Sequence, residues 1–557
     1  MKKYYLFALL ALVSFVFTNC KDDDIKDELN PVPNDGGGEL VKIPETNAEA
    51  LALVNAVYGP LQTLSSSYSF FLESATETTI CFEEKDETKD GPQVSIFETE
   101  PSNWYAIKIF NRLYSSISAA NIAIDRIGLA DAGKVETSSI SKAELIARAK
   151  FIRGYNHFQL VQFFGEVPIV TSYPASDAEK TTRKSIDEVY AQAVKDLEES
   201  IDGLQLYNAN KSVPTQLAAK TVLAKLYLTW GQKPLTQDEI AIIAAATTDP
   251  AKPSIDQAKL EKAATYAQEV INSGKYQILP DFNNIWGVGN ENNAEVIYSI
   301  SHNGDGIDAQ GNHQTHCGYT WPKDERADPH IQWADISFEN ALPDNDSRKL
   351  YSYATKIAFQ DGNIDTLSWP LSIVRPGKWI HRDGTGSINA LPNQPNNIDH
   401  IDFRLAEVYL IYAEAQFYLG HGNHGGLEKV NALRTRAGVT PLTNLTEAAL
   451  QQEWQNEFAF EQKHWLNLVR WRTLIGSIKD KVPTYEYYKS VYSNENEFRS
   501  YSYNSIPADP TRFAFYKRIN LHLHKKVENI NGRFYRFPIP LSEKYTSLGI
   551  NGQNPGY

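Results

Sequence analysis

The chain has 557 residues, a formal net charge of -14, and 42% hydrophobic and 22% charged residues. This composition is typical of a folded soluble protein. The acidic balance and the lack of a basic run argue against a nucleic-acid partner, because phosphate binding relies on clustered Lys and Arg. The sequence contains 30 Tyr and 10 Trp, so its rings either fill a large core or line a binding surface.

Residues 1–19 are predicted to be a signal peptide. Lys2 and Lys3 precede the apolar run Leu6–Phe17, which is too short to span a bilayer. Cys20 resembles the lipidated residue of bacterial lipoproteins, although Asn19 replaces the small residue that usually precedes it. The acidic run after Cys20 resembles the surface-export signal of Bacteroidota lipoproteins. We therefore predict an outer-membrane protein that is held only by its lipid and faces the extracellular side.

Residues 20–46 are predicted to form a flexible tether, and residues 47–557 a single folded unit. The tether is charged and rich in Pro and Gly, so it cannot bury enough apolar surface to fold alone. From Asn47 the hydrophobic spacing becomes helical, and a second helix is predicted to contain Trp104–Asn121.

An imperfect internal repeat predicts stacked helix pairs. Leu223–Leu228 recurs as Leu405–Leu410, with Ala224 and Ala406 as small residues that let helices approach closely. Three helices are each expected to end at a glycine in a left-handed cap, at Gly165, Gly231 and Gly420. The partner helices are predicted over Ile186–Ile201, Leu260–Ser273 and Leu427–Arg436. We therefore predict a mainly α fold, a tetratricopeptide-like solenoid without a fixed period.

The largest interruption of the helical pattern, about residues 281–397, is predicted to be a ligand-binding insertion with a few short strands. Its segment Glu295–Ile300 alternates like a β-strand, and the rest is rich in Gly, Asn, Asp, Pro and aromatic residues. Irregular segments on a rigid scaffold are the usual seat of binding.

The C-terminal region, residues 403–557, contains several motifs close together. They are Arg404–Leu410, Asn431–Gly438, Glu457–Glu461, Phe537–Pro540 and Gln553–Tyr557, with weaker similarity at Ile152–Gly154 and Phe164–Pro168. Together these motifs resemble the SusD/RagB family. In a helix expected over Glu457–Trp471, Gln462, His464 and Asn467 replace the Gly, Arg and Asp of the usual pattern. We expect these changes to alter a local ion pair and not the fold.

The resemblance implies a cell-surface protein that captures a poly- or oligosaccharide and delivers it to a SusC-like TonB-dependent transporter. It implies no catalysis and no cofactor. A RagB-like peptide-binding protein remains an alternative within the family. A surface glycosidase remains an alternative on the strength of the 68 acidic residues and the export signal alone.

Glycan binders present flat rings to sugar faces and polar groups to sugar hydroxyls. The predicted ligand-binding residues are Tyr319, Trp321, Trp333, Asn303 and Arg326 in the insertion and Phe97 in the N-terminal half. Tyr319 and Trp321 are two residues apart, so an extended segment would place both rings on one side. Core packing remains an alternative for each ring, and it is the preferred interpretation for Trp104, Trp286 and Trp379.

Sequence motifs of common enzyme classes are missing. There is no Gly-x-Ser-x-Gly elbow, no Walker sequence and no His-Glu-x-x-His. Gly420–Gly425 matches Gly-x-Gly-x-x-Gly but follows a predicted helix where the dinucleotide motif follows a strand, so it is predicted to be a helix–helix loop. His313, His316 and Cys317 are interpreted as loop residues without a metal. Pairing of Cys81 with Cys317 stays open.

Overall fold

The computed structural model describes residues 40–64, 69–82, 90–287, 289–302, 331–334, 336–354, 356–358, 364–366, 375–376, 378, 398–423, 425–482, 522–541, 550 and 552–557. Within these ranges the chain is mainly helical, with short strands in five two-stranded sheets. The predicted fold class is therefore confirmed.

The 18 α-helices of the described residues are α1 (Asn47–Asn55), α2 (Gly59–Gln62), α3 (Asp90–Ser95), α4 (Trp104–Leu129), α5 (Ala132–Val135), α6 (Lys142–Phe164), α7 (Asp177–Thr181), α8 (Ile186–Ile201), α9 (Gln216–Gly231), α10 (Gln237–Ile243), α11 (Gln257–Asn272), α12 (Ile336–Ala341), α13 (Ser347–Ser352), α14 (Leu405–Tyr418), α15 (Gly426–Arg436), α16 (Glu447–Phe458), α17 (His464–Trp471) and α18 (Leu474–Lys481). A π-helical turn covers Ser69–Glu73, and 3-10 turns cover Phe282–Ile285 and Gly532–Tyr535.

The strands are β1 (Thr79–Phe82), β2 (Val167–Pro168), β3 (Arg183–Lys184), β4 (Val296–Ile300), β5 (Ile331–Ala334), β6 (Tyr353–Ala354), β7 (Lys356–Ala358), β8 (Ile364–Thr366), β9 (Arg375–Pro376) and β10 (His400–Arg404). All five sheets are antiparallel, and they pair β1 with β5, β4 with β10, β2 with β3, β6 with β9, and β7 with β8.

The scaffold is a continuous stack of helices. Helix α4 packs on α6, α6 on α8, α8 on α9, α9 on α11, α11 on α14, and α14 on α15. Helix α8 has the predicted bounds, because Ser185 and Glu188 form a capping box at its start and its apolar face is buried. Each helix buries its apolar face on the next, so the helices form one core.

The internal repeat lies at a contact between helices. Ala224 of α9 and Ala406 of α14 are fully buried. The next residue in each copy of the repeat is charged, and Lys225 Nζ lies 3.2 Å from Glu407 Oε1. Burial lowers the pKa of Lys225 to about 8, although Glu407 opposes that shift. The repeat therefore provides both close packing and a buried ion pair between two distant helices.

Glycine ends two of the three predicted helices in the predicted way. Gly165 and Gly420 adopt φ values of 72° and 75°, the positive φ that the predicted caps require, although the ψ of Gly165, -125°, lies outside the αL region. Helix α9 ends at Gly231 as predicted, but the left-handed cap is wrong there, because Gly231 is still helical and Lys233 instead adopts a φ of 43°. A Cβ at Gly231 would lie 2.7 Å from Leu260 Cδ2. The glycine is needed there because α11 approaches closely.

The single helix predicted over Glu457–Trp471 is wrong. Helix α16 ends at Phe458 and α17 begins at His464. Phe460 and Gln462 lie between them with φ values of 60° and 61°. This conformation costs an L-residue about 1–2 kcal/mol, whereas glycine adopts it freely. Glycine, the residue usual in the family at position 462, would therefore adopt this backbone conformation without that cost.

A buried ionic cluster joins the insertion to the C-terminal helices. Its members balance five cations against five carboxylates, namely Arg348, Lys378, Arg404, Arg434 and Arg436 against Glu295, Asp346, Glu453, Glu457 and Glu461. Only Arg434 is appreciably exposed, at 19% of its side chain. The charged side chains around Glu457 therefore form structural ion pairs.

Arg404 lies at the centre of the cluster. Its Nη1 donates to Glu295 Oε1 at 2.9 Å and to Glu457 Oε1 at 2.6 Å, and its Nε donates to Glu461 Oε2 at 2.9 Å. Burial alone raises the pKa of Glu457, but Arg436 and Arg404 outweigh it and hold that pKa well below its usual range. Glu457 is therefore ionised, and it needs its cationic partners.

We predict that Arg404→Met lowers the free energy of unfolding by about 3–5 kcal/mol, because Glu295 and Glu457 lose a buried partner. Urea denaturation measures the change. The control is Lys150→Met, whose 2.7 Å pair with Glu199 leaves the two side chains 24% and 41% exposed. It should cost less than about 1 kcal/mol. Equal, small losses in both variants would contradict a structural role for the cluster.

Candidate ligand-binding region

Two short sheets form the described base of the insertion. Strands β4 and β10 lie near its two ends and pair with each other, with Ile401 opposite Ser299. Strand β5, inside the insertion, pairs with β1 of the N-terminal segment. The strand predicted over Glu295–Ile300 is confirmed as β4. The fold therefore closes the insertion at one place and brings its middle beside the N-terminal segment.

A hydrogen-bonded group ties the ends of the insertion to the scaffold. We call Gln62, Ser212, Ser301, His302 and Asp399 the base cluster. Asp399 accepts from the His302 N–H at 2.9 Å and from the Ser301 hydroxyl at 3.1 Å. The Ser301 hydroxyl also contacts the Ser212 hydroxyl, and Gln62 donates to the Ser301 carbonyl at 2.8 Å. Burial raises the pKa of Asp399 to about 6.

The β1 side of this region is fixed by buried charges. His464 Nε2 lies 2.9 Å from Glu77 Oε1, and the Gln462 N–H donates to Glu73 Oε1 at 2.5 Å. Burial opposes ionisation of Glu77, but His464 outweighs it and holds the pKa of Glu77 at about 2. Lys526 donates to the Thr79 carbonyl at 2.7 Å. The segment before β1 is therefore locked to α17 and to the C-terminal region.

His464 and Asn467, which depart from the family's pattern, both contact charged groups. His464 pairs with Glu77, and Asn467 accepts from Arg470 Nη2 at 3.0 Å and from Lys225 Nζ at 3.4 Å. These two departures therefore fall on buried polar contacts.

Of the predicted ligand-binding residues, Trp333 lies in β5 with its Cα opposite that of Ile80. Phe97 lies in the core: it is 2% exposed, and its ring centroid is 5.1 Å from that of Phe534. A ring with this burial packs against the protein, which corrects the prediction of Phe97 as a ligand contact. Tyr319, Trp321, Asn303 and Arg326 lie outside the described residues.

The remaining aromatic predictions concern three tryptophans. Trp286 is 2% exposed and belongs to a small core with Phe282 and Val296, as expected. Trp104 is partly buried at the start of α4, where it packs against the main core, which agrees with helix packing. Trp379 lies outside the described residues.

Gly420–Gly425 connects α14 to α15, which confirms a helix–helix loop. Cys81 is buried, and Cys317, His313 and His316 lie outside the described residues. In the part of the chain that the structure describes, no group of His, Cys, Asp and Glu side chains is arranged to hold a metal ion. No helix among the described residues is long and apolar enough to cross a membrane.

The base cluster was not found from the sequence. Ser212, Ser301 and Asp399 are far apart in the chain, and no motif marks them. The alternation of its residues predicts strand β4 but not its pairing with β10, and that pairing brings Ser301 next to Asp399. Chemically, the base cluster is a set of hydroxyl, amide and carboxylate groups that fixes where the insertion leaves the scaffold.

We predict that Asp399→Asn changes how stability depends on pH. The pKa of Asp399 in the folded protein, about 6, lies above its ordinary value of 3.8, so the folded state binds this proton more tightly. Its contribution to stability is present below about pH 4 and is lost as the pH rises to about 6. Between these values the parent should therefore lose stability relative to Asp399→Asn.

Urea denaturation at a series of pH values measures this difference. The gap between the two proteins should level off above about pH 6. A gap that stays constant from about pH 4 to about pH 6 would contradict the raised pKa.

The sequence matches two family descriptions. Residues 265–557 match the description "SusD family", and residues 47–228 match "Starch-binding associating with outer membrane". SusD-like protein P2 of Formosa agariphila is 25% identical over 511 residues, which cover 84% of this chain and 91% of that protein.

Solved structures show the same fold. A SusD superfamily protein from Parabacteroides distasonis has a TM-score of 0.67 and 19% identity, over 92% of this chain and 99% of that one. A laminarin-binding SusD-like protein has a TM-score of 0.64 and 19% identity, over 92% of this chain and all of the other. Because the SusD family match spans more than half of the 557 residues, this chain belongs to the SusD family.

Proposed function

We propose that this protein captures a poly- or oligosaccharide at the cell surface and delivers it to a SusC-like TonB-dependent transporter, without catalysis. One observation carries the proposal. The aromatic-rich insertion is attached to a rigid helical scaffold by two strand pairs, β4 with β10 and β1 with β5. One matching family is described by starch binding, and one structural relative is named as laminarin-binding. Both support a glycan as the ligand.

The proposed ligand contacts are Tyr319, Trp321, Trp333, Asn303 and Arg326. All five belong to the insertion, and β5 attaches the Trp333 segment to β1. In this proposal the rings supply flat apolar area, while the amide and guanidinium groups orient the sugar hydroxyls. The ionic cluster and the base cluster hold the ends of the insertion, so they act as positioning groups.

The proposal includes an organisation of the whole chain. Residues 1–19 are a signal peptide, residues 20–46 a tether with lipid on Cys20, and residues 47–557 one functional unit. The start of α1 at Asn47 supports the last boundary. A lipid on Cys20 would hold the protein at the outer membrane with the insertion facing the extracellular side, where both the glycan and the transporter are accessible.

The first prediction of this proposal concerns binding. A soluble protein that begins after Cys20 should bind at least one member of an array of plant and host glycans, with calorimetry giving its affinity. The double change Tyr319→Ala/Trp321→Ala should weaken that affinity at least about 30-fold, from two ring contacts of about 1 kcal/mol each. The melting temperature should not change, because the rings face the ligand.

Tyr409→Ala is the control, because this ring on α14 is half-buried beside Lys429 and should leave binding intact. If Tyr319→Ala/Trp321→Ala instead lowers the melting temperature strongly and retains the affinity, the two rings are core residues. The array also contains a peptide pool, and binding to peptides alone would replace glycan with peptide as the ligand. Hydrolysis of a bound glycan would contradict the proposal that the protein acts without catalysis.

The second prediction concerns the anchor. In cells that export the protein, Cys20→Ala should abolish labelling with palmitate and release the protein from the membrane fraction. Cys81→Ala is the matched control, because Cys81 is buried and its loss should leave the label in place. Persistent label in Cys20→Ala would contradict lipidation at this residue.

A further inference from the structure

We propose a second saccharide-binding site on the helical scaffold, apart from the insertion. It is a groove of about 830 Å³, which we call the Trp230 groove. This volume is within the usual range of small-molecule sites. The residues that line the groove are residue 166, residues within 185–187, 230–239 and 252–259, and residue 472. The site therefore goes beyond the proposed function, because it involves none of the proposed glycan contacts.

Trp230 provides a fixed aromatic surface. Its ring is nearly parallel to that of Tyr190, with 5.4 Å between centroids and 9° between planes, and it also stacks with Tyr227 at 19°. Its Nε1 donates to Asp187 Oδ1 at 2.6 Å. Tyr190 and Tyr227 are buried, whereas Trp230 is only partly buried and lines the groove. A ring held this rigidly loses little entropy when a sugar packs against its exposed part.

Hydrogen-bonding groups of both signs surround the ring. Lys259 Nζ lies 4.4 Å from the Trp230 ring centroid and 2.6 Å from Asp256 Oδ2, while Lys233 and Asp238 are exposed at the rim. In total the lining contains the carboxylates of Glu166, Asp187, Asp238, Glu239 and Asp256 and the cations of Lys233, Lys252, Lys259 and Arg472. These charges nearly cancel, which favours an uncharged hydroxyl-rich ligand over a phosphate.

The wall of the groove is held in a strained conformation. Lys233 and Arg472 adopt φ values of 43° and 57°, which L-residues rarely adopt. Arg472 Nη2 donates to the Lys233 carbonyl at 2.8 Å, and its Nη1 donates to the Ala251 carbonyl at 3.0 Å. Strain of this kind persists where the surroundings enforce it, and it is common at binding sites. The wall is therefore pre-organised.

The groove suits a saccharide better than a peptide. Three helices begin there, and the side chains of Ser185, Thr236 and Asp256 each already accept one N–H of the first turn. Peptides are commonly bound as an added strand at a sheet edge or as a helix in an apolar groove, whereas this lining is mainly polar side chains around one ring. Sugar hydroxyls need only such side chains and an aromatic face. The recognition chemistry therefore points to an uncharged oligosaccharide.

Oxidative footprinting tests the site on the soluble protein that begins after Cys20. Hydroxyl radicals label the protein alone or with millimolar laminari-, xylogluco- or cello-oligosaccharide, or with a mixed peptide pool, and mass spectrometry reports each tryptophan. At least one saccharide should lower the oxidation rate of Trp230 about threefold or more, while the buried Trp286 serves as an unchanged reference. An unchanged rate with all saccharides, or protection by peptides alone, would overturn the proposal.

Variants separate this site from the insertion. The change Lys233→Ala/Asp238→Ala affects two exposed residues, so it should raise the saccharide concentration for half-protection about tenfold without changing the melting temperature. The control Glu261→Ala/Lys275→Ala, also exposed but outside the groove, should have no effect. Protection of Trp230 should persist in Tyr319→Ala/Trp321→Ala. Its loss there would assign the protection to the insertion and refute the second site.

Discussion

The guanidinium of Arg404 is the group on which the rest of the architecture depends. It contacts Glu295 beside β4, Glu457 in α16 and Glu461 in the turn before α17, and all of these side chains are almost completely buried. Buried charges are tolerated only while their partners stay in place. The end of β10, the start of β4 and the C-terminal helices therefore depend on one another for stability through Arg404.

This dependence explains how a helical protein can display an irregular segment. The helix stack supplies the rigid body, and the ionic cluster fixes the segment on one side through β4 and β10. On the other side, Glu77 and His464 fix the segment that leads into β1, which pairs with β5. The proposed binding region, which is assembled from distant parts of the chain, thus obtains a fixed base.

Periodicity predicted the features that depend on neighbouring residues. It gave the bounds of α8, because the buried face of an amphipathic helix recurs regularly along the sequence. The repeat in α9 and α14 is detected from the similarity of its two copies, since consecutive residues of both helices are buried. It failed where a distant contact decides the local structure. Gly231 looks like a helix cap but is required by Leu260, and Phe97 looks like a loop residue but packs on Phe534.

In the candidate site, too, some features could be predicted from the sequence and others depend on distant contacts. Aromatic composition and family resemblance singled out the insertion, whereas the base cluster depends on a strand pairing that residue spacing does not encode. The turn at Gln462 shows a further limit. The helical periodicity of Glu457–Trp471 continues across it, yet two left-handed residues separate α16 from α17. Tertiary contacts, including the bond from the Gln462 N–H to Glu73, hold that break.

Native-state hydrogen exchange in increasing denaturant tests the central claim most directly. The amides of β4 and β10 and those of α16 and α17 are followed separately. If the ionic cluster unites them, all four elements should open together with one free energy and one denaturant dependence. Opening of β4 and β10 at a free energy lower by about 3 kcal/mol or more, with both helices still protected, would contradict the account.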